Sequence, residues 1–227
     1  LRVLEQIRQR DYSQTPRKPL LAFGGAVYEE PEEPYEGSDT EAYLKYVRKQ
    51  VDEAITTRGT SLRKIYASML GMAWRPLPGT HEEVTTLQQI VPAAQIVTGE
   101  QVNETTVKAQ SADGTLASYK VLHFATHGMA ELQIPELSAL VLSQFATPRS
   151  EEEDDYLRIG EVAHLKLQAD FVNLSACETG LGKIYSGQSV VGLTQSFLLA
   201  GANGLSVSLW NVSDVSTARF MVELYTL

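Results

Sequence analysis

Two segments of the chain are apolar almost without interruption, and each stops abruptly. Tyr119-Lys120-Val121-Leu122-His123-Phe124-Ala125-Thr126 runs into His127-Gly128, and residues 169–175 (ADFVNLS) run into Ala176-Cys177-Glu178-Thr179-Gly180. Short β-rich runs of this kind read as buried parallel strands that deliver their last residues to the carboxyl edge of a sheet. Residues 20–28, 94–98 and 204–210 read as further strands, as do residues 137–143, where Ser138, Leu140 and Leu142 alternate with Leu137, Ala139 and Val141. Helical spacing appears at residues 1–10 (Leu1, Leu4, Ile7), ended by Pro16 and Pro19, and at residues 40–74, with Tyr43, Val47, Val51 and Ile55 on one stripe. Residues 80–91 read as a helix capped by Thr80 with Glu83 as its capping-box partner. Shorter helices are expected at 104–109 and 159–165, a buried one at 190–200 closed by Gly201, and another from Asp214 onward. The acidic stretches 29–36 and 150–155 read as solvated surface loops. Strands alternating with helices imply an α/β fold with a mostly parallel sheet covered on both faces.

Composition narrows the class. The 227 residues suffice for one sizeable α/β domain, and 43% hydrophobic with 21% charged residues are globular values. A formal net charge of −9 argues against an electrostatic nucleic-acid grip and a polybasic membrane contact. No apolar run approaches the roughly 20 residues needed to span a bilayer, and the first residues lack the order of a signal peptide. One cysteine excludes an internal disulfide and a Cys-rich zinc site. A free thiol persists best in a reducing compartment, so the expected location is cytoplasmic. The missing initiator Met and the helical pattern that stops at Leu227 lead us to expect a piece of a larger protein. On that expectation residues 1–18 are a helix and linker from a preceding region, and residues 19–227 are a domain truncated at its C-terminus.

The chemistry lies where the two strongest runs end. A thiolate is a nucleophile, and a free thiol with a pKa of about 8.5 is mostly protonated at neutral pH. An imidazole beside it raises the reactive fraction and later protonates the leaving group. Gly128, directly after His127, allows a tight backbone turn and an N–H aimed at an oxyanion, with the Cys177 N–H as a second donor. His127 precedes Cys177 by 50 residues (177 − 127), and about 50 is the caspase spacing; the order excludes a papain arrangement. The cysteine motif departs from the caspase pattern, since no Gln precedes Ala176 and the glycine comes one place later.

Three blocks carry a family resemblance: His123-Phe124-Ala125-Thr126-His127-Gly128, Leu174-Ser175-Ala176-Cys177-Glu178-Thr179-Gly180, and Ser208-Leu209-Trp210-Asn211-Val212-Ser213-Asp214. They resemble the signature blocks of the CHAT family, caspase-like cysteine peptidases related to separase and often joined to tetratricopeptide repeats. Leu77-Pro78-Gly79-Thr80, Pro135-Glu136-Leu137-Ser138 and Leu198-Leu199-Ala200-Gly201-Ala202 add to it. The resemblance implies a caspase-like three-layer α/β/α sandwich, with His127 and Cys177 as catalytic dyad and Gly128 as oxyanion donor. It also implies a P1 pocket near Trp210, in which Asp214 would bind a basic side chain, while the strand holding Ser208 pairs with substrate backbone. No metal or organic cofactor is implied. The expected partners are a protein substrate and a regulatory domain such as tetratricopeptide repeats, with neither nucleic acid nor membrane bound by this domain.

Plainer readings stand beside these. A lone cysteine on an apolar strand is commonly an inert core residue, and only its motif context argues otherwise. His123 is read as a satisfied core histidine, since no third metal ligand accompanies it and His127. His81 and His164 are read as surface residues. Gly24-Gly25 lacks the pattern of a nucleotide loop. Asp214 reads equally as a helix cap or as a pocket residue. Two rival functions remain open: a catalytically silent caspase-like scaffold for protein binding, and a thiol acyl-transfer amidase acting on small substrates.

Overall fold

The computed structural model describes residues 5, 7, 9–28, 74, 76–129, 135–144, 153–175, 188–207 and 214–226. In chain order its elements are β1 (Lys18–Gly24), α1 (Pro78–Ile90), β2 (Gln95–Thr98), α2 (Glu104–Ala112), β3 (Tyr119–Ala125), β4 (His127–Met129), β5 (Ala139–Val141), β6 (Tyr156–Arg158), α3 (Ile159–Val162), β7 (Phe171–Leu174), α4 (Gln188–Ala200), β8 (Leu205–Val207) and α5 (Asp214–Thr226). Five strands form one sheet in the order β2-β1-β3-β7-β8, and every neighbouring pair is parallel. The order reverses between β1 and β3, which is where an open α/β sheet parts to leave a crevice at its carboxyl edge.

The pleat sorts the side chains into two layers. Leu21 and Phe23 of β1, Leu122 and Phe124 of β3, and Val172 and Leu174 of β7 face Val107, Val162, Leu193 and Phe197 from α2, α3 and α4. The Phe23 and Phe124 rings stack there with centroids 4.7 Å apart. Leu20, Ala22 and Ala125 point the other way, against Val84 and Leu87 of α1, and Tyr225 of α5 packs on the same cluster. Each fully buried aliphatic or aromatic side chain contributes about 1.5–3 kcal/mol, so both faces are stabilised by burial. A smaller antiparallel sheet, β4-β5-β6, stands beyond the carboxyl end of β3.

Two glycines are required by local geometry. A Cβ at Gly24 would lie 2.7 Å from the Thr80 carbonyl oxygen, so only glycine lets the start of α1 sit over the end of β1. Gly201 has φ +122° and closes α4 with paired bonds, Ala202 N–H to Phe197 O at 3.1 Å and Gly201 N–H to Leu198 O at 3.4 Å. Arg10 and Tyr12 donate to carbonyls there, Arg10 to Leu198 and Ala202 and Tyr12 to Gly201, and so tie the N-terminal stretch to the end of α4.

Most predicted elements appear with shifted ends, and His81 and His164 are exposed as expected. Three expectations need correction. Thr80 does not cap α1: Leu77 occupies that position without a side-chain bond, Pro78 opens the helix, and the Thr80 hydroxyl donates to Leu77 O while accepting from Gly25 N–H. Glu83 is buried and turns to the sheet instead. Asp154 and Asp155 are buried, not part of a solvated loop, and lead straight into β6, which the pattern did not predict. The helix expected at 40–74, apart from Trp74, the loop expected at 29–36 and residues 181–187 lie outside the described residues.

Candidate functional site

The carboxyl edge of β3 sets the site. β3 ends at Ala125, and one residue later the chain enters β4 with His127. The His127 ring is 0% exposed. It lies between Tyr28, with centroids 4.7 Å apart, and Trp74, at 5.0 Å. The Tyr28 hydroxyl accepts the His127 N–H at 3.1 Å and donates to Val141 O at 3.1 Å, so it bridges β4 and β5 at the pair His127↔Val141. Trp74 is fixed in turn by its Nε1–H, which donates to the Tyr156 hydroxyl at 3.0 Å. Successive N–H groups of a strand point to opposite sides, and that of His127 points toward β5. The Gly128 N–H therefore faces the outer side of β4, which is an edge strand of the sheet formed by the described residues.

The neighbouring strand β7 pairs with β3 in the register Val121↔Phe171, Leu122↔Val172, His123↔Asn173 and Phe124↔Leu174. Ser175 N–H extends the ladder to Phe124 O at 2.9 Å. Of the residues singled out from sequence, His127 and Gly128 are brought together on β4. Cys177, Ser208 and Trp210 lie outside the described residues, although β7 and β8 lead directly to Cys177 and Ser208. Asp214 opens α5, and its side chain lies outside the described residues.

Behind this edge, on the α1 and α5 face, a polar row crosses the sheet. His123, Asn173 and Ser206 are neighbours in register on β3, β7 and β8. The Asn173 Nδ2 group lies 3.0 Å from His123 Nδ1, and the Ser206 hydroxyl donates to Asn173 Oδ1. An Nδ1 that accepts leaves the N–H on Nε2, and Nε2 lies 2.7 Å from Glu83 Oε1. The same Glu83 oxygen accepts the Ser175 hydroxyl at 2.6 Å. Tyr225 of α5 closes the row, its hydroxyl 3.2 Å from His123 Nδ1; burial holds its phenol pKa above the usual value. His123 is thus a fully buried core histidine, as its sequence setting implied, with Asn173 against Nδ1 and Glu83 at ion-pair distance from Nε2.

A second buried polar group lies on the opposite face, between α2, β6 and α3. Glu104 accepts the backbone N–H groups of Asp154 and Asp155 at 2.8 and 2.7 Å, and pairs with Lys108 at 2.7 Å. Lys108 also reaches Glu161 at 2.8 Å, and Arg158 binds Glu161 at 3.0 Å. Burial, with the charges of Asp154 and Glu161 added, pushes Glu104 up to about 8 against the pull of Lys108. Burial likewise lifts Asp154 to about 7, opposed by Arg158. Among the described residues, no group of three or more His, Cys, Asp or Glu is arranged to hold a metal ion. Nor is any described helix long and apolar enough to cross a membrane.

Sequence reasoning missed Tyr28 and Trp74 around His127 and Glu83 behind it. One signal was available: His123 and Asn173 are polar residues inside apolar strands, each four positions before a candidate catalytic residue.

The chain matches the CHAT domain family over residues 1–227. Among curated proteins it is similar to Tetratricopeptide repeat protein 28 of Mus musculus, with 25% identity, over 67% of this chain and 7% of that protein. The chain thus spans only a small part of the relative's length. By the family match and the layered parallel sheet, the chain belongs to the CHAT domain family and has its caspase-like α/β/α sandwich.

Proposed function

We propose that this domain is a cysteine endopeptidase in which Cys177 attacks the scissile carbonyl and His127 manages the protons. The Gly128 and Cys177 amides hold the oxyanion, and water releases the acyl-enzyme. The observation that carries this reading is a shared register. Every β3–β7 pair joins residues 50 apart (171 − 121), and the candidate dyad has the same offset (177 − 127). Strands paired in parallel at that offset run level toward the carboxyl edge, which suits a nucleophile and base that must meet there. The outward Gly128 N–H supports its role as donor.

The buried His127 ring supports a gated enzyme. Substrate would reach it only once Trp74 and Tyr28 give way, and an attached or partner domain would supply that trigger. Similarity to a tetratricopeptide repeat protein supports repeats as that domain. In the P1 pocket, Asp214 would favour Arg or Lys, with Trp210 as a wall and Ser208 pairing with substrate backbone. The domain would act in the cytoplasm.

Alkylation of Cys177 as a function of pH, followed by peptide-library cleavage, tests this reading. Rapid alkylation that falls about 10²–10⁴-fold in His127→Ala is expected, with cleavage after basic residues that is lost in Asp214→Ala. Slow alkylation, equal in both proteins, would establish the silent scaffold. Fast alkylation without peptide cleavage at any P1 would point to the amidase.

A further inference from the structure

We infer that Glu83 is a positioning residue that fixes, through Ser175 and His123, the two strand ends from which the catalytic pair emerges. The inference rests on the peptidase reading of Cys177 and His127. One oxygen of Glu83 receives the hydroxyl of Ser175, two residues before Cys177, and lies 2.7 Å from Nε2 of His123, four residues before His127. Glu83, His123 and Ser175 are all within 1% of full burial. A carboxylate is retained in such a place only when fully partnered, and these partners come from two different strands.

The arrangement is not a second serine hydrolase centre. The carboxylate stands between serine and imidazole, so the Ser175 hydroxyl donates to Glu83 and not to the His123 ring, and neither serine nor histidine reaches solvent. What it does is mechanical. Glu83 pins β3 and β7 from α1, at the level where both strands are about to leave the sheet. Loss of the Ser175 arm frees the end of β7 that leads to Cys177, and the nucleophile then samples orientations away from the imidazole.

The test is Ser175→Ala in the full chain, with Glu83→Gln as a second variant should the first fail to fold. Cys177 alkylation is followed across pH, and hydrogen exchange is measured on the peptide that follows β7. The expected result is a folded protein with faster exchange in that peptide. Its His127-dependent alkylation should be about tenfold slower, the net worth of one hydrogen bond, with a flattened pH profile. A merely structural Ser175 would lower the melting temperature and leave rate and profile per folded molecule unchanged; that result, with unchanged exchange, overturns the inference. If wild-type Cys177 proves slow and indifferent to His127, the peptidase reading fails. The exchange measurement then decides the pin alone: faster exchange supports it, and unchanged exchange overturns it.

Discussion

The two faces of the central sheet bury polar groups in opposite ways. On the α1 and α5 face a single carboxylate, Glu83, meets Ser175 and His123, and the row continues through Asn173 to Ser206 across three strands in register. On the α2 and α3 face several carboxylates crowd around Lys108 and Arg158, and the Lys108 side chain is 35% exposed. The first group has its carboxylate, imidazole, amide and Ser175 hydroxyl fully buried, so it holds strands in one arrangement. The second exchanges charge among its members and touches solvent, so it responds to pH. Position follows from this: the rigid group stands behind the strand ends that lead to Cys177 and His127, while the titrating group anchors the chain entering β6.

The hardest test of that contrast is truncation of each carboxylate. Glu83→Ala should cost about 1–3 kcal/mol in chemical denaturation for each of the two buried groups it strands, the Ser175 hydroxyl and the His123 ring, and Cys177 alkylation should fall with it. Glu104→Ala should cost about 1–3 kcal/mol for its orphaned backbone donors and leave alkylation per folded molecule unchanged. Equal slowing in both variants would erase the distinction.

A smaller effect separates the faces by pH. Glu104 and Asp154 have folded pKa values of about 8 and about 7, above their ordinary values of 4.5 and 3.8. A raised carboxyl pKa means that the folded state binds more protons, so its contribution is complete below pH of about 4 and is lost as pH rises through about 8. Melting temperatures measured across that window should decline with pH, and the decline should be shallower in Glu104→Gln. The α1 and α5 face adds nothing to the decline from Tyr225, whose phenol stays protonated throughout.

The smallest effect lies within the rigid group. Tyr225→Phe removes the hydroxyl near His123 Nδ1, which keeps Asn173 as a partner. A loss of about 1 kcal/mol is expected, without change in alkylation, since Tyr225 does not touch the Glu83–Ser175 arm. Slowed alkylation in this variant would mean that the influence on Cys177 passes through the whole row.

Much of the fold was legible because buried parallel strands are continuous apolar runs; residues 20–24, 119–125 and 171–174 declare themselves without context. His127 and Gly128 were legible because they end such a run. The role of Glu83 was hidden by its spacing from Thr80, which imitates a local capping box although its partners, His123 and Ser175, lie 40 (123 − 83) and 92 (175 − 83) residues away. Asp154 and Asp155 were misread for the same reason. An acidic run looks solvated until Glu104 supplies hydrogen-bond acceptors for its backbone. Contacts between distant residues left no periodic trace.

The polar row of His123, Asn173 and Ser206 also distinguishes the native strand register from its neighbours. Side chains alternate along a strand, so slippage of β7 by one residue during folding would turn Asn173 into the cluster of Phe124 and Phe197, and carry Ser175 away from Glu83. Such a misaligned intermediate would bury an amide among aromatic rings and leave a carboxylate without its hydroxyl. The row therefore marks one register: the correctly aligned strands are the ones whose polar side chains meet.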